Sequence, residues 1–141
     1  MIFTRENCKP IESPSEAQIA RAISLTKSSF AALTSTDGAY IQAAGGPSLF
    51  FIEWRDVTGS HHRGAQATTV VPFPDGTVLS FSAGSVELAK NEWFLASQVN
   101  EVLRAFLAGK PFPSWLRWFA LPAGYIHADK KSFKADGYTA A

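Results

Sequence analysis

Glu53 and Arg55 are the residues whose chemistry most needs an explanation, because they put a carboxylate and a guanidinium two positions apart in the most hydrophobic stretch of the chain. Side chains alternate across a β-strand, so we expect Glu53 and Arg55 to share one face while the neighbouring large apolar side chains form the other. Such a pair can tie a fold together, meet a partner, or act in acid–base catalysis. The sequence leaves these three interpretations open.

Other catalytic or metal-binding groupings are weak. Glu53 and Asp56 lie on opposite faces of a regular strand, which disfavours a catalytic carboxylate pair. His61 and His62 also point to opposite faces, so at most one of them could share a metal site with His127, and no cysteine pair supports them. We therefore predict no catalytic residue, no metal, no cofactor and no enzymatic activity.

A second candidate surface is the aromatic segment near the C-terminal end, where Trp115 and Trp118 flank Arg117. Aromatic side chains at this density usually cap a hydrophobic core, but Trp and Arg are also enriched at binding hot spots. Stacking of single-stranded nucleic acid would need more basic residues among the aromatics, so nucleic acid is not a predicted partner. Both the core and the interface interpretations are kept.

The elements that position these residues begin with a helix. Ser13-Pro14-Ser15-Glu16 predicts a helix start with Ser13 as the N-cap, and apolar residues spaced by three and four predict a helix that continues to about Leu33. After Asp37-Gly38 the spacing becomes strand-like. It predicts a four-stranded antiparallel meander over residues 39–44, 49–56, 62–71 and 77–82, with a tight turn between the first two strands.

A second helix is predicted from Asn91, as its N-cap, to Gly109, because apolar residues form a wide stripe over that span. Residues 115–121 are then expected to form an edge strand before Pro122. The fold class is α+β, an antiparallel sheet of four to five strands with both helices packed on one face. The other face is expected to be open unless a partner or the tail covers it.

The composition indicates what kind of protein this is. With 46% hydrophobic and 18% charged residues over 141 positions, we expect one globular domain, with residues 1–12 as an N-terminal extension and 122–141 as a loosely ordered tail. A lone cysteine, Cys8, and no secretion signal predict a cytoplasmic protein, and no apolar run is long enough to cross a membrane. Residues 110–141 carry a charge of +3 and the rest −2, so a basic tail could contact an acidic partner.

Several segments recur together in one known kind of protein. In chain order they are the first helix, Tyr40-Ile41-Gln42, Phe51-Ile52-Glu53-Trp54-Arg55, His62-Arg63, and Phe106-Leu107-Ala108-Gly109-Lys110-Pro111 with a tryptophan beyond it. This order resembles immunity proteins of bacterial polymorphic toxin systems, most closely their first-numbered Imm family. That family is marked by a strand glutamate, which Glu53 matches, and by a tryptophan near the C-terminus, for which Trp115 is the first match and Trp118 the second.

The resemblance implies a small α+β protein that binds the toxin domain encoded beside it, often a nucleic-acid deaminase or nuclease, and blocks the toxin's active site. Immunity proteins against basic nucleases are commonly acidic, so a net charge of +1 favours a deaminase-like or other near-neutral toxin. We expect a monomer in a 1:1 complex. The predicted partner-binding residues are Tyr40, Glu53, Arg55, Trp115, Arg117 and Trp118.

Two other functions remain as alternatives. A small α+β enzyme or ligand carrier would have a pocket around Glu53, between helices and sheet, with Glu53 as the base and His62 or His127 as the acid. A structural module of an oligomer would instead associate through its surface with further copies or other chains.

Overall fold

The computed structural model describes residues 1–122 and shows an α+β fold built on one large antiparallel sheet. The strands are β1 (Ile2–Arg5), β2 (Ile11–Glu12), β3 (Ser29–Thr34), β4 (Tyr40–Gly45), β5 (Leu49–Arg55), β6 (His61–Gln66), β7 (Thr77–Phe81), β8 (Gly84–Leu88), β9 (Phe94–Leu95) and β10 (Leu116–Ala120). The helices are α1 (Glu16–Leu25) and α2 (Ala96–Ala108). His127 and the predicted tail beyond Pro122 lie outside the described residues.

The large sheet has the strand order β10–β6–β5–β4–β3–β1–β2, and β9 pairs with β5. The predicted fold class is confirmed, and three of the four strands of the predicted meander, β4, β5 and β6, are neighbours in this sheet. Within residues 1–122, however, the sheet has eight strands and not the four to five that were predicted. Three of the additional strands, β1, β2 and β9, have only two to four residues, and local periodicity does not reveal strands that short. The fourth, β3, lies in the stretch that was predicted as the end of the first helix.

The prediction that residues 1–12 are an N-terminal extension is wrong. β1 runs antiparallel to β3, with Phe3 opposite Leu33, and β2 pairs with the other edge of β1. Phe3 is only 1% exposed and belongs to the main core. The first strand is therefore part of the fold.

The first helix is shorter than predicted at both ends. Ser15, and not Ser13, is the N-cap: its hydroxyl accepts a hydrogen bond from the Gln18 amide at 3.1 Å, and Gln18 Oε1 accepts one from the Ser15 amide at 2.9 Å. This reciprocal pair is a capping box. The predicted box, with Ser13 as the cap and Glu16 reaching back, lies two residues too early.

At its C-terminal end, α1 stops at Leu25 because Thr26 is extended and Ser28 has a φ of +50°, in the left-handed region. The residues that follow form β3, in which Ala31 and Leu33 are buried at alternate positions. Small and apolar residues in this stretch fit either a helix or a strand, so the helical prediction extended too far.

The two serines give a direct test of the cap. We expect Ser15→Ala to lower the free energy of unfolding by about 1 kcal/mol, because the Gln18 amide loses its acceptor. Ser13→Ala is the matched control and is expected to change stability by less than about 0.5 kcal/mol, since it lies outside the helix. Urea unfolding followed by circular dichroism measures both values, and a larger loss for Ser13→Ala would contradict the cap assignment.

The predicted hairpin is confirmed as β4 and β5, with Tyr40 opposite Arg55 and Gly45 opposite Phe50. The third predicted strand is β6, but it ends at Gln66 and does not reach residue 71. The fourth predicted strand is β7, which does not join the meander. It pairs with β8 in a separate two-stranded sheet.

The β7–β8 hairpin lies on the face of the large sheet that the helices leave uncovered. Phe81 contacts Phe51, with ring centroids 5.6 Å apart, and Val86 and Leu88 are buried in the same cluster. The expectation that this face is open is therefore wrong for the half around Phe51. The β7–β8 hairpin supplies a second, smaller core there.

The second helix ends as predicted, at Gly109, which has a φ of +66° and donates its amide to carbonyls of the last turn. It begins at Ala96, with Leu95 as the N-cap position, and not at Asn91. The predicted edge strand is confirmed as β10, which pairs with β6. Buried residues of α1 and α2 share one core with one face of the sheet, as expected.

Among residues 1–122, no helix has both the length and the apolar character that crossing a membrane requires.

Candidate functional site

Glu53 and Arg63 form a buried ion pair across neighbouring strands. They are register partners on β5 and β6, and Glu53 Oε2 accepts hydrogen bonds from Arg63 Nη2 at 2.6 Å and from Nε at 3.2 Å. The two residues are 1% and 2% exposed. The Arg63 guanidinium also lies 4.8 Å from the ring centroid of Phe51, a cation–π distance. A charge this deeply buried is costly unless it is paired, and each of these two side chains supplies the opposite charge for the other.

The predicted pairing of Glu53 with Arg55 is therefore wrong. Residues two apart on one strand are farther from each other than directly opposed residues on neighbouring strands. Arg55 instead donates from Nη1 to the carbonyl of Gly38 at 2.9 Å, and its guanidinium lies beside Gly59. Arg55 thus contacts the turn before β4 and the turn before β6. The role of Arg63 was missed, although the turn after Asp56 sets the register that places it opposite Glu53.

Tyr40, Arg55 and His61 form a row across three strands on the same face as Glu53. The Tyr40 hydroxyl is 3.2 Å from His61 Nε2, and all three side chains are half-buried. The structure thus brings two predicted partner-binding residues, Tyr40 and Arg55, together with a histidine that was not among them.

The two tryptophans of the aromatic segment pack on the helix side. Trp118 contacts Trp54 and Phe112, each with ring centroids 5.3 Å apart. Trp115 contacts Phe94, with centroids 6.1 Å apart, and donates from Nε1 to Glu101 of α2 at 3.2 Å. Both are partly buried and cover the main core.

Arg117 and Phe119 occupy the opposite face of β10. In register, Arg117 is opposite Ala65 and Phe119 is opposite Arg63. Arg117 is exposed and donates to the carbonyl of Ser114 at 2.7 Å, and Phe119 is 53% exposed. We call Arg117 and Phe119 the β10 patch. Strand alternation, applied from Trp118, places Phe119 on this face and away from the two tryptophans.

His61 and His62 lie on opposite faces of β6, as predicted. His62 stacks on Trp54, with ring centroids 4.8 Å apart and an interplanar angle of 28°, and its Nε2 is 3.8 Å from Asp56 Oδ2. Over residues 1–122, no three His, Cys, Asp or Glu side chains gather in a way that could hold a metal ion.

A cavity of about 510 Å³ opens on the helix face, at the C-terminal end of α2. Its lining comes from α2, β5, the segment after α2 and three turns or termini: Met1, Ser35, Asp37, Ala39, Trp54, Asp56, Val57, Thr58, Phe106, Gly109, Lys110 and Phe112. Glu53 is not in this lining, because alternation points it to the other face. The residue of β5 that lines this helix-side cavity is Trp54. Glu53, the base in the alternative enzyme hypothesis, lies on the opposite face of the sheet and not in this cavity.

Two carboxylates line the cavity, and both are held in turns. The Ser35 hydroxyl, together with the Ala39 amide, lowers the pKa of Asp37. The Thr58 hydroxyl, 2.6 Å from Asp56 Oδ1, is the main cause that lowers the pKa of Asp56, with the amides of Ser60 and Thr58 and nearby His62 contributing. Both groups are therefore ionised at neutral pH.

Fold and site together define an α+β protein with a buried cross-strand ion pair, an exposed Arg–Phe patch on an edge strand, and an aromatic cavity on the helix side. No protein-family model matches the chain, and a search of curated proteins finds no significant match.

Proposed function

We propose that this chain is a cytoplasmic immunity protein that binds a cognate bacterial toxin domain as a monomer, in a 1:1 complex, and covers its active site. The observation that carries the proposal is the β10 patch, where Arg117 and the 53% exposed Phe119 project from the same face of one strand. Arg is enriched among the residues that dominate binding energy, and Phe is enriched at protein–protein interfaces. The resemblance of the chain to immunity proteins supplies the class of partner.

The position of the β10 patch favours a pre-organised binding surface. β10 pairs with β6 over five residues, so the backbone that carries Arg117 and Phe119 is fixed by a ladder of hydrogen bonds. The row of Tyr40, Arg55 and His61 lies on the same face of the sheet and extends this surface. A standard inhibitor interface covers about 800 Å² on each partner, which requires such an extended area and not one side chain.

The ion pair gives Glu53 an indirect part in this function. A side chain that is 1% exposed cannot form the surface that a partner touches. In this proposal, the strand glutamate holds β5 and β6 in register through Arg63, and β6 in turn carries β10. The toxin would then contact the β10 patch, while Glu53 fixes the backbone that supports it.

Co-expression tests the proposal. The toxin domain encoded by the neighbouring gene is expressed in a sensitive host with and without this protein, and survival is expected only when both are present. Equal killing in the two cultures would end the proposal. A purified complex is expected to elute at the mass of one copy of each chain.

Variants then test the surface separately from the function. Arg117→Ala and Phe119→Ala are each expected to weaken toxin binding by about 30-fold, the effect typical of a hot-spot residue. Arg104→Ala, on the exposed side of α2, and Leu25→Ala, 58% exposed at the end of α1, are the matched controls and should leave binding unchanged. If the original protein protects cells but only the control variants weaken toxin binding, the proposed function stands. The toxin-binding surface would then lie on the helix side and not at the β10 patch.

A further inference from the structure

The cavity at the C-terminal end of α2 has the size and lining of a small-molecule site. Its volume of about 510 Å³ lies within the range of about 300–1,000 Å³ that ligand pockets occupy. Aromatic side chains from three segments line it, namely Trp54 of β5, Phe106 of α2 and Phe112 of the segment beyond α2. These rings give it a largely apolar interior.

The lining of the cavity brings two carboxylates close to its aromatic rings. They belong to Asp37 and Asp56, and the lining also contains the Lys110 ammonium group and the α-amino group of Met1. Hydrogen bonds from Ser35 and Thr58 keep the pKa of each carboxyl below its ordinary value, so both charges are present at neutral pH. α2 also ends at the cavity through Gly109, and the C-terminal end of a helix carries partial negative charge.

Each carboxylate has a turn-forming oxygen and a second oxygen. Asp37 Oδ1 accepts from the Ala39 amide and the Ser35 hydroxyl, and Asp56 Oδ1 accepts from the amides of Thr58 and Ser60. The second oxygen of Asp56, Oδ2, lies 3.8 Å from His62 Nε2. The turns therefore fix both carboxylates in place while leaving an oxygen of each to interact with a ligand.

Aromatic faces and carboxylates are the two groups that attract an organic cation. A ring face binds an ammonium group through its quadrupole, and a carboxylate binds it through its charge. From this combination we infer that the cavity is a binding site for a small organic amine with an aromatic or branched apolar body. The apolar body would contact Trp54, Phe106 and Phe112, and the ammonium group would face Asp37 and Asp56.

The test uses three probes of nearly equal shape on the full-length protein: phenethylamine, the neutral 2-phenylethanol and the anionic 3-phenylpropanoate. Binding is followed by the Trp54 indole signal in two-dimensional NMR, since Trp54 lines the cavity. Phenethylamine is expected to saturate the site and to bind about 5–10-fold more tightly than 2-phenylethanol. The anion should bind more weakly than either. Equal affinity for the cation and the alcohol would overturn the inference, as would the absence of saturable binding.

Variants that each remove one charge show whether Asp37 and Asp56 contact the amine. Asp56→Asn and Asp37→Asn keep the oxygen that accepts the turn hydrogen bonds, and each is expected to weaken phenethylamine binding about 3–5-fold. Glu87→Gln makes the same charge change on exposed β8, away from the cavity, and should have no effect. Lys110→Gln removes the opposing charge and should strengthen binding.

The outcomes separate this inference from the proposed function. A loss as large for Glu87→Gln as for Asp56→Asn would mean a general charge effect and would overturn the site. If phenethylamine does not bind but Asp56→Asn weakens toxin binding, the cavity receives a basic side chain of the partner and the small-molecule inference fails. Failure of the co-expression test leaves the amine titration unaffected, because the titration needs no toxin.

Discussion

Glu53→Gln is expected to lower the free energy of unfolding by about 3–5 kcal/mol, because it leaves the buried Arg63 guanidinium without the Glu53 carboxylate. The glutamine has nearly the same shape, so the loss reports the charge and not a cavity. Urea unfolding with linear extrapolation measures it. Glu87→Gln, the same substitution on the exposed face of β8, is the matched control and should change stability by less than about 0.5 kcal/mol.

A double variant distinguishes a buried pair from two independent effects. Glu53→Leu and Arg63→Met each leave one buried charge, whereas together they leave none. The double variant is therefore expected to be more stable than the sum of the single changes predicts, by about 0.5–3 kcal/mol. If the losses in free energy of unfolding of the two single variants simply add in the double variant, the ion pair is contradicted. A Glu53→Gln variant as stable as the original protein would contradict it as well.

The same variants decide how Glu53 serves the proposed function. If Glu53 acts by holding β5 and β6 in register, the folded fraction of Glu53→Gln at low temperature should bind the toxin with nearly its original affinity. Protection in cells should then fall in proportion to the loss of folded protein. A reduced affinity of the folded fraction, with stability unchanged, would instead make Glu53 a contact residue.

How far the sequence predicts this fold depends on how local each signal is. The C-terminal end of α2, the β4–β5 hairpin and β10 are bounded by glycines or prolines, and all three were predicted close to their observed places. β1 is four residues long and its partner β3 lies beyond the whole of α1, so its position depends on tertiary pairing. β3 itself was assigned to α1, because residues 29–33 satisfy both periods.

In the candidate site, too, the features that depend on one strand were predicted and those that depend on several elements were not. Alternation correctly put Glu53 on the face away from Phe50, Ile52 and Trp54, and it correctly separated His61 from His62. The partner of Glu53 could not be read from one strand, because the register of β6 depends on the turn that Asp56 organises. The cavity combines residues of α2, β5, the segment after α2, two turns and Met1, so no sequence pattern marks it.

Gly46→Ala is expected to lower the free energy of unfolding by about 3 kcal/mol or more, because two costs combine at this position. Gly46 has a φ of +88°, which L-residues with a side chain rarely adopt. An added methyl group would also overlap the carbonyl oxygen of Thr26 and lie 2.9 Å from its carbonyl carbon. That carbonyl belongs to the C-cap of α1, and backbone atoms cannot rotate away as a flexible side chain could.

Gly76→Ala separates the two costs. Gly76 has nearly the same φ, +92°, but apart from its two chain neighbours no residue in the described range 1–122 has an atom within 4 Å of an added methyl group. It should therefore show only the conformational cost of about 1–2 kcal/mol. The excess for Gly46→Ala measures how tightly the β4–β5 turn is pressed against the end of α1, where the Ser28 amide also donates to the Gly46 carbonyl at 3.2 Å. Equal losses for the two variants would mean that α1 can move away from the sheet, and that the helix-side core does not depend on this contact.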